Sequence, residues 1–156
     1  MKILNLIILI FICFISSVKA DLNQNIISEI KKGGKLIFIR HAYAPGGGDP
    51  VNFNINDCDT QRNLSDIGRI QSKNIGDFFK KNQISIDKVY SSEWCRCKET
   101  ASIAFKKFET KNFLNSFFSE QFSKNRKNQI ANFNKFLSDW DENHNLIFVT
   151  HYVVIS

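Results

Sequence analysis

No apolar run in this 156-residue sequence reaches the roughly 20 residues that a membrane-spanning helix needs; the run from Ile3 to Ile15 falls short of that length. A basic stripe with interleaved aromatics is missing too. The lysines are scattered among Asn, Ser and Glu, which speaks against a nucleic-acid footprint. No internal repeat is visible, and the length suits one domain with a real core while being too short for two. The cysteines also lack metal-site spacing: Cys95 and Cys97 are separated by one residue, where zinc pairs are usually separated by two to four.

What is present begins with an export signal. Lys2 precedes the apolar run, and Ser16-Ser17-Val18-Lys19-Ala20 follows it, with Val18 and Ala20 at the positions a signal peptidase reads. Cleavage is expected after Ala20, leaving residues 21–156 as an exported chain, periplasmic or secreted, without stable membrane association. Removing Lys2 and Lys19 takes the formal charge from +6 to +4, a mild excess that suits a small anionic ligand. Cys13 lies within the signal and receives no role. In an oxidising compartment Cys58 is expected to pair with either Cys95 or Cys97. Two positions apart on a helix, those two point roughly 200° apart, so Cys58 can meet only one of them. The 15 phenylalanines are spread at core-like spacing and read as packing.

The remaining chain alternates short apolar strands with amphipathic helices, which predicts an α/β fold: a mostly parallel sheet with helices on both faces. A helix over Asn23 to Lys32 ends at Gly33. Leu36 to Ile39 reads as a central parallel strand, and the Gly-, Asn- and Asp-rich stretch from His41 to Asn63 as a long functional loop. Ser65 is the expected N-cap of a helix that packs through Ile67, Ile70, Ile75, Phe78 and Phe79. Asp87 to Ser91 is a second strand, and Ser91-Ser92 caps a helix running to Phe105. Phe113-Leu114 suggests a third strand, Asn128 to Trp140 a helix, and Leu146 to Thr150 a fourth strand.

The polar residues fall at the carboxyl ends of these strands. The first ends in Arg40-His41 and the last in His151, while Arg96 lies in the first turn of the helix behind the second. In a parallel sheet these ends share one edge, where open α/β sheets bind ligands. Arginine presents a planar fork suited to phosphate oxygens, and neighbouring cations keep a histidine neutral and nucleophilic. Read separately, Arg96 could instead pair with Glu93 or Glu99, and His151 could be a surface histidine.

Four segments carry a family resemblance: Arg40-His41; Arg62-Asn63-Leu64-Ser65-Asp66-Ile67-Gly68; Ser91 to Ala101; and Val149-Thr150-His151. In this order, over roughly residues 35 to 156, the chain resembles the histidine phosphatase superfamily, with its phosphoglycerate mutase-like fold. The resemblance implies that His41 attacks phosphorus and becomes a transient phosphohistidine that water hydrolyses. Arg40, Arg96 and His151 would hold the phosphoryl oxygens of a small phosphorylated substrate, without metal or cofactor. Ala42 stands where the family signature has glycine. Glu120 is the candidate proton donor by position, or else a solvated loop carboxylate; relatives that place Asp after the second histidine find Tyr152 matched there. Arg62 would line the rim or pair with Asp59 or Asp66, and His144 is expected to be exposed. Relatives normally continue with a further helix and more sheet, so the end at Ser156 is expected to be incomplete. The implied activity is phosphomonoester hydrolysis; the alternatives are a non-catalytic phosphate-ester or phosphosugar binding module and, less favoured, a mutase-type phosphotransferase.

Overall fold

The structure, a computed structural model, describes residues 24–156. The expected signal segment and its expected cleavage after Ala20 lie outside the described residues. Residues 24–31 form helix α1, which belongs to a unit separate from Gly33–Ser156. Gly33 follows with a φ of +81°, the left-handed conformation that glycine adopts without a steric cost.

In the second unit the order is β1 (Leu36–Arg40), a 3-10 turn (Cys58–Thr60), α2 (Asp66–Lys81), β2 (Lys88–Ser91), α3 (Cys95–Phe105), β3 (Glu109–Thr110), a second 3-10 turn (Asn112–Leu114), α4 (Glu120–Ser123), α5 (Arg126–Ser138), β4 (Leu146–Thr150) and α6 (Tyr152–Ile155). The sheet order is β1-β4-β2-β3, and every pairing is parallel. The α/β architecture read from the alternation is therefore the one observed.

Two strand expectations need correction. Among the described strands β1 lies at an edge and is only half-buried, while β4 is central and buried along its whole length. Both are short apolar runs, and such a run does not distinguish an edge position from a central one. Phe113-Leu114 is not a strand: it lies in the second 3-10 turn, whose main chain bonds locally, from Leu114 N to Lys111 O and from Asn115 N to Asn112 O. The third strand is the preceding pair Glu109–Thr110.

Alternation along the strands puts Phe38, Phe148 and Tyr90 side by side on one face, in register. Their rings stack at 5.0 and 5.7 Å, and Phe133 and Phe136 of α5 cover them. Phe148 is fully buried, which stabilises the fold by about 2 to 3 kcal/mol. Among the described residues most phenylalanines do serve packing, while Phe118 and Phe122 line a cavity, Phe122 also packing against Phe53 and Trp94.

The expected packing face of α2 also needs correction. Ser65 does cap the helix, its Oγ accepting from Gly68 N at 3.2 Å. However, Ile67, Ile70 and Phe78 are exposed, and the buried residues are Gly68, Ser72 and Phe79. The cause is close main-chain approach. A Cβ on Gly68 would lie 2.1 Å from Tyr43 O, and one on Gly76 2.3 Å from Ala104 O. The small side of α2 therefore faces α3 and the loop after β1, and larger apolar residues are turned outward.

Candidate active site

Parallel register builds the site. Arg40 pairs with Thr150, so His41 and His151 leave the sheet side by side, with His41 N donating to Thr150 O at 2.8 Å. Their rings meet edge to face at 5.4 Å. From β2, Ser92 N donates to Val149 O at 2.9 Å, which brings the Ser92 hydroxyl to 2.9 Å from His151 Nε2. The Ser92 Oγ also donates to Asn115 Oδ1 at 3.0 Å. This use of Ser92 corrects the expected helix start: α3 begins at Cys95, and Trp94 at its N-cap position makes no side-chain capping bond.

Both tautomers follow from hydrogen-bond bookkeeping of donors and acceptors. His41 Nδ1 lies 2.8 Å from the Ala42 carbonyl, which can only accept, so Nδ1 carries the proton. The lone pair is on Nε2, and it accepts from Arg96 Nε at 3.2 Å. For His151, Ser92 spends its one hydroxyl proton on Asn115, so Nε2–H donates to Ser92. Nδ1 then faces Arg96 Nη2 at 3.5 Å. Burial lowers the His41 pKa to about 4; the bond to Ala42 opposes this, and Arg96, Arg62 and Arg40 reinforce it. Burial likewise pushes His151 well below the usual value, with Arg96 and His41 adding to the effect. Both rings are neutral at pH 7.

Ala42 is buried, and its N–H donates to Thr100 Oγ1 at 3.0 Å. Its φ is not positive, so the position has no need of the glycine in the family signature.

Sequence reasoning missed Asp49. Its carboxylate receives Arg96 Nη1 on Oδ1 at 2.7 Å and Nη2 on Oδ2 at 3.2 Å. The Arg62 backbone N–H donates to Oδ1 and Trp94 Nε1 to Oδ2, both at 3.0 Å. Burial alone would raise this carboxyl pKa, but the bonds from Arg96 and Arg62 outweigh it and hold the group below the usual carboxylate value. One signal was available in the sequence: Asp49 is the only charged residue between His41 and Asp57. Arg96 thus pairs with neither Glu93 nor Glu99. Glu99 binds Arg69 at 2.7 Å, as does Asp66 at 2.8 Å.

The loop carrying Asp49 is tied down by a disulfide. Cys58 bonds Cys95, with the Cα atoms 5.7 Å apart, while Cys97 is a free, buried thiol whose pKa burial pushes up to about 12. Gln61 adds a further tie by accepting from Cys95 N at 2.9 Å.

A cavity of about 550 Å³ opens over this cluster. Arg40, His41, Arg96, His151 and Arg62 all line it. Arg40 is exposed; Arg62 is half-buried, donates from Nη1 to Ala44 O, and has a buried Nε with no hydrogen-bond partner. Trp94, Phe118, Phe122 and Tyr152 form apolar walls. Glu120 is not brought in: it opens α4, is exposed, and lies outside the lining. His144 is exposed beside Asp141, at 3.3 Å.

The family model for the histidine phosphatase superfamily (branch 1) matches residues 36–147, and the chain belongs to this superfamily. No curated protein matches it. Among solved structures it is similar to the protein histidine phosphatase SixA complexed with tungstate, at 15% identity and a TM-score of 0.54 over 77% of this chain and 70% of that one. A phosphoserine phosphatase of Entamoeba histolytica in complex with phosphoserine is 20% identical, with a TM-score of 0.53 over 77% and 75%. The alpha-ribazole phosphatase of Shigella flexneri is 17% identical, with a TM-score of 0.52 over 77% and 75%. At these identities the likeness is one of fold.

Proposed function

We propose that the protein is a phosphatase that hydrolyses a small phosphomonoester through a phosphohistidine on His41. The observation that carries this reading is the state of His41: a neutral ring, its proton fixed on Nδ1 by Ala42, its Nε2 lone pair directed at the Arg96 edge of the cavity. Nε2 attacks phosphorus while Arg40, Arg96 and His151, with Arg62 at the rim, stabilise the charge on the phosphoryl oxygens. Water then cleaves the N–P bond. In this reading the chain acts outside the cytoplasm, after signal cleavage following Ala20.

A second reading, a phosphate-ester or phosphosugar binding module, is favoured by one observation: Arg96 Nε–H covers the nucleophilic lone pair. Purified chain lacking residues 1–20 is assayed with p-nitrophenyl phosphate. The enzyme reading expects turnover, phosphohistidine after quenching under conditions that preserve the N–P bond, and loss of both in His41→Ala. Phosphate-ester binding without turnover or trapped intermediate would establish the module.

A further inference from the structure

Among the described residues lining the cavity, Asp49 carries the only carboxyl group. Glu120 is outside it, and the residue after His151 is a tyrosine. Asp49 is also close to the nucleophile. Its oxygens take Nη1 and Nη2 of the guanidinium whose Nε donates to His41 Nε2, so one guanidinium separates carboxylate from attacking nitrogen. A two-oxygen grip on a guanidinium edge is also how a phosphoryl group is held. The same N–H groups cannot serve both anions fully. A phosphoryl group arriving at Arg96 therefore loosens Asp49, which remains attached through the Arg62 backbone and Trp94 Nε1.

Building on the phosphatase reading above, we propose that Asp49, displaced from Arg96 by the substrate's phosphoryl group, is the proton donor to the leaving group. Displacement reverses its electrostatics. In the free protein Arg96 favours the carboxylate; once that partner serves the phosphoryl group, the nearby negative charge favours the protonated form, and Asp49 takes a proton from solvent. In the first step the His41 Nε2 lone pair forms the N–P bond, the P–O bond to the leaving group breaks, and the departing oxygen takes the Asp49 proton. In the second step the Asp49 carboxylate takes a proton from water as the water oxygen bonds to phosphorus. The N–P electron pair then returns to Nε2, and orthophosphate leaves.

Leaving-group dependence tests this assignment. p-Nitrophenolate departs without a proton, whereas an alkoxide does not. In kcat/KM, which reports only the steps through leaving-group release, Asp49→Asn is expected to stay within about tenfold of wild type on p-nitrophenyl phosphate and to accumulate phosphohistidine because hydrolysis of the intermediate slows, yet to lose about 100-fold or more on glycerol phosphate. Asp49→Glu should recover part of the alkyl activity. A uniform loss of kcat/KM on both substrates, or no loss on either, overturns the assignment and leaves Asp49 a positioning residue for Arg96. If Asp49→Asn does not fold, the wild type still decides. Its kcat/KM across aryl phosphates should depend weakly on leaving-group pKa, and a steep dependence overturns the proposal. Absence of wild-type turnover overturns the phosphatase reading and this assignment together; wild-type turnover with a uniform Asp49→Asn loss overturns the assignment alone.

Discussion

The two halves of the cavity are built differently. One half stands on strand tips: His41 and His151 are placed by main-chain pairing of β1 with β4, and Ser92 by pairing of β2 with β4. The other half is a loop, from Ala44 to Arg62, whose position rests on side chains. Asp49 reaches Arg96 and Trp94, Gln61 reaches Cys95 N, and Cys58 is bonded to Cys95. Sheet register positions a residue whatever its side chain, whereas a loop held by polar ties is only as well placed as those ties. Residues that stabilise charge in the reaction belong on the first kind of support, and residues that must move with the substrate on the second.

Arginine substitutions should separate the halves most sharply. Arg96 touches both histidines and Asp49, so on the phosphatase reading Arg96→Ala removes a charge-stabilising group and leaves a half-buried carboxylate without its main partner. A loss of about 1,000-fold in kcat/KM for p-nitrophenyl phosphate is expected. Arg62→Ala, on the loop side, should cost about tenfold, mostly in KM. Equal losses would show that Arg62, on the loop, carries as much of the chemistry as Arg96, which stands on α3 where the two halves meet.

The disulfide gives the next largest effect. It closes a 37-residue separation, for which the chain-entropy account gives about 3 to 4 kcal/mol of stability. Cys58→Ser is expected to lower the urea midpoint accordingly. Under native conditions KM should rise, because the loop half loosens, while the sheet-held half keeps kcat within about tenfold. A selective fall in kcat would mean that the bridge, through Cys95, also positions Arg96 next to it.

The same division explains what could be read from the sequence. Arg40, His41, Arg96 and His151 were legible because each follows an apolar run or a helix start, and parallel topology then brings the ends to one edge. Asp49 was not, since its role depends on a fold of the loop that no local periodicity encodes. The choice of Cys95 over Cys97 was open for a similar reason: helix geometry says the two diverge, not which way the helix is turned. The outward face of α2 was misread because Ile67 and Ile70 fit a core stripe by spacing, while Gly68 and Gly76 decide the packing by letting main chains touch. Glu120 matches the proton donor's position only by the order of the segments, and α4 holds it exposed and outside the cavity.

Acid should act on the two halves in different pH windows, and this is the smallest effect. His41 titrates near 4 when folded, against 6.5 for the unperturbed ring, because burial disfavours its charged form. Between those values the unfolded chain binds a proton that the native chain refuses, so stability falls as pH drops from 6.5 towards 4. From pH 7 to pH 5 the loss from His41 is about 2 kcal/mol, and His151, shifted in the same direction, adds to it. For Asp49 the fold favours the charged form, so acid removes its contribution in the same direction but in a lower pH window. Its carboxylate is held below the usual carboxylate value of 3.8, so its contribution is intact above that pH and is lost only as pH falls through the lower folded value. Mild acid therefore strains the strand-tip half while leaving the Asp49 to Arg96 tie in place. Urea midpoints at pH 7 and pH 5 check this directly. The unfolding free energy obtained from them should drop for wild type, and by about 2 kcal/mol less for His41→Asn. A midpoint that does not move between those pH values would mean that His41 and His151 are solvated in the native protein, and the buried, neutral nucleophile would then have to be abandoned.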